Sequence, residues 1–242
     1  MVRDGSRPTG IGHASRGFRG WKGACGARMG KSEKLRAAEP AASPWPRLVS
    51  DWPTGTRLDA GGPWLLCPWL RGRDPAVAFW IGALPWHDAN ASLLNMLAKP
   101  HPSPGVVYAG LFCVDPFRIV GDLYAALGAA GVTGIVNLPS VSVFDGELGS
   151  LLASFDLGIE REIAFLRNAR AAGFRIAGCA SSADIARRLA EAGADFVIAH
   201  GGAPRSRADD PSVAVARRLR RAVAGTGMPV MALGDLLGDA AS

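Results

Sequence analysis

His200 stands between an apolar run, DFVIA, and the pair Gly201–Gly202. An imidazole titrates close to neutrality, so it can move a proton or ligate a metal. Glycines beside it let backbone N–H groups approach a phosphate or a carboxylate. Other apolar runs end in the same manner. Asp115 follows YAGLFCV, Asn137 ends TGIV with Asp145 in the loop beyond, Cys179 and Ser181 follow FRIA, and Asp235 follows VMALG. A polar group at the end of a buried run must be solvated or given a partner. Each residue also has a plainer reading. Asp115 before Pro116 can cap the next helix, Asn137 can satisfy loop backbone groups, and Asp145–Gly146 is a turn signature. Glu160 and Glu162 open a helix and suit its dipole.

The elements that must carry these residues alternate. The run GVVYAGLFCV reads as a strand, and PFRIVGDLYAALGAAG reads as a helix opened by proline. TGIVNL is a strand, followed by the loop PSVSVFDGELGS. Residues 158–172 are a helix, FRIAGCA a strand, SSADIARRLAEAG a helix capped by Ser181 or Ser182, and DFVIAHGG a strand. Residues 209–224 are a helix and MPVMALG the last strand. Trp64–Leu70 reads as an earlier strand, with a loop over residues 71–86. Nearly all-apolar strands separated by helices belong to a parallel sheet buried on both faces. A (β/α)8 barrel and an open doubly wound sheet both fit. The short turn in AEAGADFVIAH, helix end to strand within about two residues, favours the barrel. In such folds chemistry sits at the carboxyl ends of the strands, where the polar residues above fall. The tryptophans Trp64, Trp69, Trp80 and Trp86 read as core or interface packing rather than a ligand cage.

The chain has 242 residues, 48% of them hydrophobic, with a mean hydropathy of +0.14. That is ample for a core, and no apolar run reaches the roughly 18 residues of a membrane span. The four cysteines, Cys25, Cys67, Cys113 and Cys179, are widely spaced. They read as buried free thiols in a reducing cytoplasm. The net charge of +6 is local: residues 1–36 hold nine basic and two acidic side chains, and the remainder is close to neutral. We expect residues 1–46 to be a disordered basic tail and linker and 47–242 to be one barrel domain. Nucleic acid is expected only through that tail, and no membrane contact is expected. Met29 offers an alternative start.

The segments ALPWHDANASLL, AGLFCVDPFR, GIVNLPSVSVFDG, LGIEREI and AEAGADFVIAHGG, in this order, resemble the phosphoenolpyruvate hydrolase-like TIM-barrel proteins, also called predicted TIM-barrel signal transduction proteins. The likeness runs from about Leu48 to Ala203. It implies an α/β fold, a TIM (β/α)8-type barrel of the phosphoenolpyruvate mutase/isocitrate lyase-like kind. Three departures stand out: only RLDAGG fills the place of the first helix, the strand ending at Cys179 lacks a polar end, and no eighth strand follows MPVMALGD. An incomplete barrel is therefore expected, with edges that a second copy in a homo-oligomer would cover.

The resemblance also implies chemistry. A magnesium ion at Asp115, aided by Asp145, would hold a small α-oxo or phosphoenol acid and polarise its carbonyl. Asp115 and His200 are the expected catalytic residues, with His200 the general acid or base. Asn137, Gly201 and Gly202 would bind the anionic substrate. The alternative is a regulatory barrel that binds a ligand or partner and has lost turnover.

Overall fold

The computed structural model describes residues 45–54, 63–73, 82–84, 87–102, 105–202 and 211–238. Among them seven strands form one sheet: β1 (Arg47–Val49), β2 (Trp64–Leu66), β3 (Val107–Gly110), β4 (Gly134–Val136), β5 (Arg175–Ala180), β6 (Val197–Ala199) and β7 (Val230–Ala232). Their spatial order is their chain order, and every neighbouring pair is parallel. A doubly wound sheet reverses its strand order part-way. This one never reverses, so successive crossovers of one hand leave the helices on one face and the sheet curls as a half-barrel. The barrel expectation holds at this level; the mutase/lyase subtype is a finer matter.

The strands are apolar throughout because each faces two cores. Val107 and Ala109 of β3, Val197 and Ala199 of β6, and Val230 and Ala232 of β7 face an outer layer. There they meet Leu93, Leu123, Leu127, Ile163, Leu166, Leu189 and Leu219 from the helices. The alternate residues Leu65, Tyr108, Val136, Cys179, Ile198 and Met231 form an inner layer. Trp64 and Trp69 are buried in these layers, while Trp80 and Trp86 lie outside the described residues.

Among the described residues seven helices accompany the sheet: α1 (Ala89–Leu97), α2 (Val120–Ala129), α3 (Gly146–Ser154), α4 (Ile159–Ala171), α5 (Ala183–Glu191), α6 (Ser212–Ala222) and α7 (Leu233–Gly238). Three of them stop by one device. After α2, α4 and α5 come Gly131, Gly173 and Gly193, with φ of 82°, 96° and 80°. The next amides, of Val132, Phe174 and Ala194, donate back to the carbonyls of Leu127, Ala169 and Leu189. This left-handed glycine stop turns each helix straight into the next strand. Ser182 caps α5 as expected, accepting from the Ile185 amide at 3.3 Å.

Elsewhere the boundaries move. β2 ends at Leu66, and the chain from Pro68 to Leu70 is a 3-10 turn rather than strand, because a proline cannot donate to the ladder. α2 begins at Val120, four residues after Pro116. The segment read as the loop PSVSVFDGELGS holds a 3-10 turn, Val141–Val143, and most of α3. α3 buries none of its residues; Leu148 and Leu151 on it and Phe155 just past its end are exposed. A helix without a buried stripe has no periodic signal to read. β7 runs directly into α7, whose Leu233 and Leu236 enter the inner layer beside Leu48 of β1.

Residues 37–242 form one unit, and the second unit, 1–36, lies outside the described residues. The basic tail, Met29, Cys25 and the RLDAGG segment therefore fall outside as well. Packing already begins at Trp45, which lies against the inner layer. No helix among the described residues is long and apolar enough to cross a membrane.

Candidate active site

The polar strand ends fall into two clusters. One lies after β2 and β3. Asp115 is its centre: Oδ1 accepts the Phe117 amide at 2.9 Å, and Oδ2 accepts Asn90 Nδ2 at 2.9 Å. Arg118 approaches Asp115 at 3.7 Å and donates to Asp88 at 2.7 Å. Asn90 clamps the Phe112 backbone from both sides, its Nδ2 donating to the carbonyl and its Oδ1 accepting the amide, each at 3.0 Å. Asp88 caps α1 through the Ala91 amide. The HDAN and DPFR segments thus staple the loop after β3 to the start of α1. Asp115 organises the turn ahead of α2; the helix cap itself is Ile119.

The second cluster lies after β4 and β6. His200 extends the inward-facing alternation of β6 and is 1% exposed. Its Nε2 lies 2.7 Å from the Ser142 hydroxyl in the 3-10 turn after β4. Ser142 Oγ lies 2.7 Å from Ser140 Oγ, and Ser140 Oγ donates to Glu162 Oε2 at 2.7 Å. Asn137 braces this chain: Nδ2 donates to Glu162 Oε2 at 2.6 Å and to Ser140 at 3.2 Å, while Oδ1 accepts the Cys179 amide at 2.7 Å. Glu162 Oε1 accepts the Val141 amide at 2.7 Å. Asn137, Ser140 and Glu162 are fully buried, and Ser142 is partly exposed.

Burial dominates the electrostatics. It pushes the Glu162 carboxyl up to about 7, against the opposing pull of its bonds from Ser140, Val141 and Asn137. It pushes the His200 imidazole down to about 4, so the ring is neutral at pH 7. Both groups favour their uncharged forms, which reverses their ordinary order of acidity.

Glu162 was expected to serve the dipole of its helix, and it does not face solvent. It lies on the buried face of α4 with Ile163, Leu166 and Ala169. Its neighbour Glu160 is exposed and pairs with Arg188. The spacing carries a signal: Glu162, Leu166 and Ala169 share one stripe at i, i+4 and i+7.

The expected site residues do not all meet. His200 and Asn137 share the second cluster. Asp115 belongs to the first, and Asp145 is exposed at the N-cap position of α3 with no capping bond from its side chain. Gly201 follows His200 with its Cα facing Pro211, where a Cβ would come within 2.6 Å, and Gly202 has φ 96°. Among the described residues no three His, Cys, Asp or Glu side chains gather as a metal site. Each carboxylate oxygen of Asp115 accepts one bond from the protein, and Asp145 belongs to a different loop, so the two are not drawn together as a pair of magnesium ligands, and no step is routed through a metal.

Residues 71–225, which contain both clusters, match the profile of the Phosphoenolpyruvate hydrolase-like family. The chain belongs to the phosphoenolpyruvate hydrolase-like family. Within it, the chain is 38% identical over 135 residues to "Uncharacterized protein y4oT" of Sinorhizobium fredii, covering 56% of this chain and 69% of that one. It is 35% identical over 123 residues to "ToMV resistance protein Tm-1(GCR237)" of Solanum lycopersicum. That match covers 50% of this chain and 16% of the tomato protein. Among solved structures, FabK from Thermotoga maritima aligns with a TM-score of 0.38 at 17% identity, over 72% of this chain and 43% of that one. Mandelate oxidase with benzoyl-formic acid aligns at 0.40 and 16%, over 73% and 50%. This phosphoenolpyruvate hydrolase-like chain thus spans half or less of those solved chains.

Proposed function

We propose that this barrel is an enzyme that acts on a small α-oxo or phosphoenol acid by acid/base chemistry centred on His200. The supporting observation is the His200–Ser142 contact at the carboxyl ends of the strands. A neutral imidazole has a ring nitrogen free of its proton and can accept one, although burial weakens it as a base. Its Nε2 faces a hydroxyl that is partly exposed, so a proton can pass between ring and bound acid through Ser142 Oγ. The base would take a proton from a water or from the carbon beside the carbonyl, and return it to the product. Gly201 and Gly202 would hold the anionic end through their backbone amides. Asn137 keeps Ser140 and Glu162 in place behind the reacting groups.

One observation favours the second reading, a binding barrel without turnover. Asp115 and Asn137, the residues expected to meet substrate, bond to protein groups instead. One experiment separates the two. The protein is incubated with phosphoenolpyruvate, pyruvate and oxaloacetate, with and without magnesium, and both thermal stability and product are followed. A ligand at ~100 times its dissociation constant adds about 2.7 kcal/mol. Turnover of one acid, falling about 10²- to 10⁴-fold in His200→Asn, supports the enzyme. Stabilisation without product, unchanged in that variant, supports the binding barrel.

A further inference from the structure

We propose that Glu162 exchanges a proton with His200 through Ser140 and Ser142, so that the carboxyl group behind the loop after β4 sets the protonation of the imidazole. Glu162 is a positioning residue in this scheme: it acts through His200 and does not touch substrate. The scheme rests on the reading of His200 as the acid/base group.

Geometry carries the proposal. Three contacts of 2.7 Å link Glu162 Oε2, Ser140 Oγ, Ser142 Oγ and His200 Nε2 in one unbroken line. Each serine has one hydroxyl proton, so the line can point in only two directions. With Glu162 ionised, Ser140 donates to it, Ser142 donates to Ser140, and His200 Nε2–H donates to Ser142. With Glu162 protonated, the carboxyl donates to Ser140, Ser140 to Ser142, and Ser142 to a bare Nε2, leaving the ring proton on Nδ1.

The two directions interconvert by proton transfer alone. The Nε2–H bond of an imidazolium breaks as an O–H bond forms on Ser142. The former Ser142 proton moves to Ser140, and the former Ser140 proton to Glu162 Oε2. An imidazolium and a carboxylate become an imidazole and a carboxylic acid, with no change in total charge. Burial of both ends favours the uncharged products. A proton that His200 takes from a bound acid would therefore be stored on Glu162.

Among the described residues, those bonded to Glu162 do not compete with it as charges. Glu162 faces Asn137 and the Val141 amide, and it senses the Cys113 and Cys179 thiols, which burial pushes well above their ordinary range and keeps neutral. His200 faces Ser142 on Nε2.

The test needs no substrate. The full chain is labelled with 15N-histidine, and the His200 signals are assigned among the four histidines by their loss in His200→Asn. Ring nitrogen shifts are followed from about pH 5 to about pH 9. The relay predicts a switch from an Nδ1–H ring at low pH to an Nε2–H ring at high pH, with its midpoint at about 7. Glu162→Gln, whose amide does not titrate, should hold a single ring tautomer at every pH. Ser142→Ala, at a partly exposed position, should abolish the switch while leaving Glu162 in place. A wild-type ring whose tautomer never changes overturns the relay. So does a wild-type-like switch in Ser142→Ala, which stands even if Glu162→Gln fails to fold. A switching ring in a protein without turnover keeps the relay and removes the enzyme reading; turnover with a fixed ring does the reverse.

Discussion

The reversed acidities of Glu162 and His200 predict that the two residues hide each other's effect on stability. Glu162 rises from an ordinary 4.5 to about 7 on folding. Between those values the native state holds a proton that the unfolded chain has released. Its contribution is fully present below pH 4.5 and is lost as pH rises through about 7. His200 falls from 6.5 to about 4. Between those values the unfolded chain binds a proton that the native ring refuses, so its contribution is present above 6.5 and is lost as pH falls through about 4. One proton changes stability by about 1.4 kcal/mol per pH unit, so each window spans about 3 kcal/mol. From pH 4.5 to 6.5 the windows overlap and the slopes are opposite, so these two groups together add almost no slope to the wild type.

Single substitutions uncover each slope. In Glu162→Gln, stability relative to wild type should climb by about 3 kcal/mol between pH 4.5 and about 7. In His200→Asn, it should fall relative to wild type by a similar amount as pH rises from about 4 to 6.5. Urea unfolding at a series of pH values measures both. Taking each variant against wild type removes the background of groups common to all three, such as Asp88, whose carboxyl is held low by the Ala91 amide and Arg118 despite opposing burial. Variant curves that stay parallel to the wild type through both windows would refute the reasoning, because neither group would then change its proton affinity on folding.

Three further outcomes follow from the geometry. Asp115→Asn places an amide opposite Asn90 Nδ2 and weakens the tie to Arg118; it should cost about 1–3 kcal/mol in urea unfolding and leave the His200 ring signal unchanged. Full stability with a magnesium-dependent loss of turnover would make Asp115 a ligand instead. Gly134→Ala brings a Cβ within 2.4 Å of the Tyr108 ring, which is anchored by its hydroxyl on Asp195 at 2.6 Å; a loss of about 1–3 kcal/mol is expected, and a neutral variant would show that the inner layer yields. Cys67, Cys113 and Cys179 are buried, and burial raises all three thiols. In a Cys25→Ser chain, a thiol reagent should label nothing until urea unfolds it, whereas labelling of the native protein would mean that the layer opens.

The sheet was legible because its signals are local. An all-apolar strand reports burial on both faces, and the AAG and EAG helix ends report the left-handed stop that leads into β4, β5 and β6. The second cluster was legible only at its ends. His200 and Asn137 show themselves as polar residues closing apolar runs. Ser140 and Ser142 sit in a segment that reads as loop, and Glu162 reads as one more acid in a first helical turn. Nothing local separates Glu162 from Glu160; only the stripe it shares with Leu166 and Ala169 does. The bond that reveals its role, from the Val141 amide, spans 21 residues of sequence.

Asp115 is the opposite case, a strand-end carboxylate whose bonds all go to the chain itself. A carboxylate at a strand end followed by proline marks a site in which backbone polar groups need help, and sequence alone does not say whether the help goes to a ligand or to the chain. Here Asp115 accepts from Phe117 and Asn90, while Asn90 closes both polar groups of Phe112. Asp115 and Asn90 thereby hold the loop after β3 to the start of α1. Across the sheet the arrangement differs. Glu162 is equally well bonded, yet its burial leaves it poised between two protonation states, and the line from it ends on an imidazole. What separates frame from chemistry in this barrel is therefore whether a bonded group still has a proton to move, more than whether it is bonded. Under the proposed relay Asp115 frames the rim, and Glu162 with His200 is where a proton would travel.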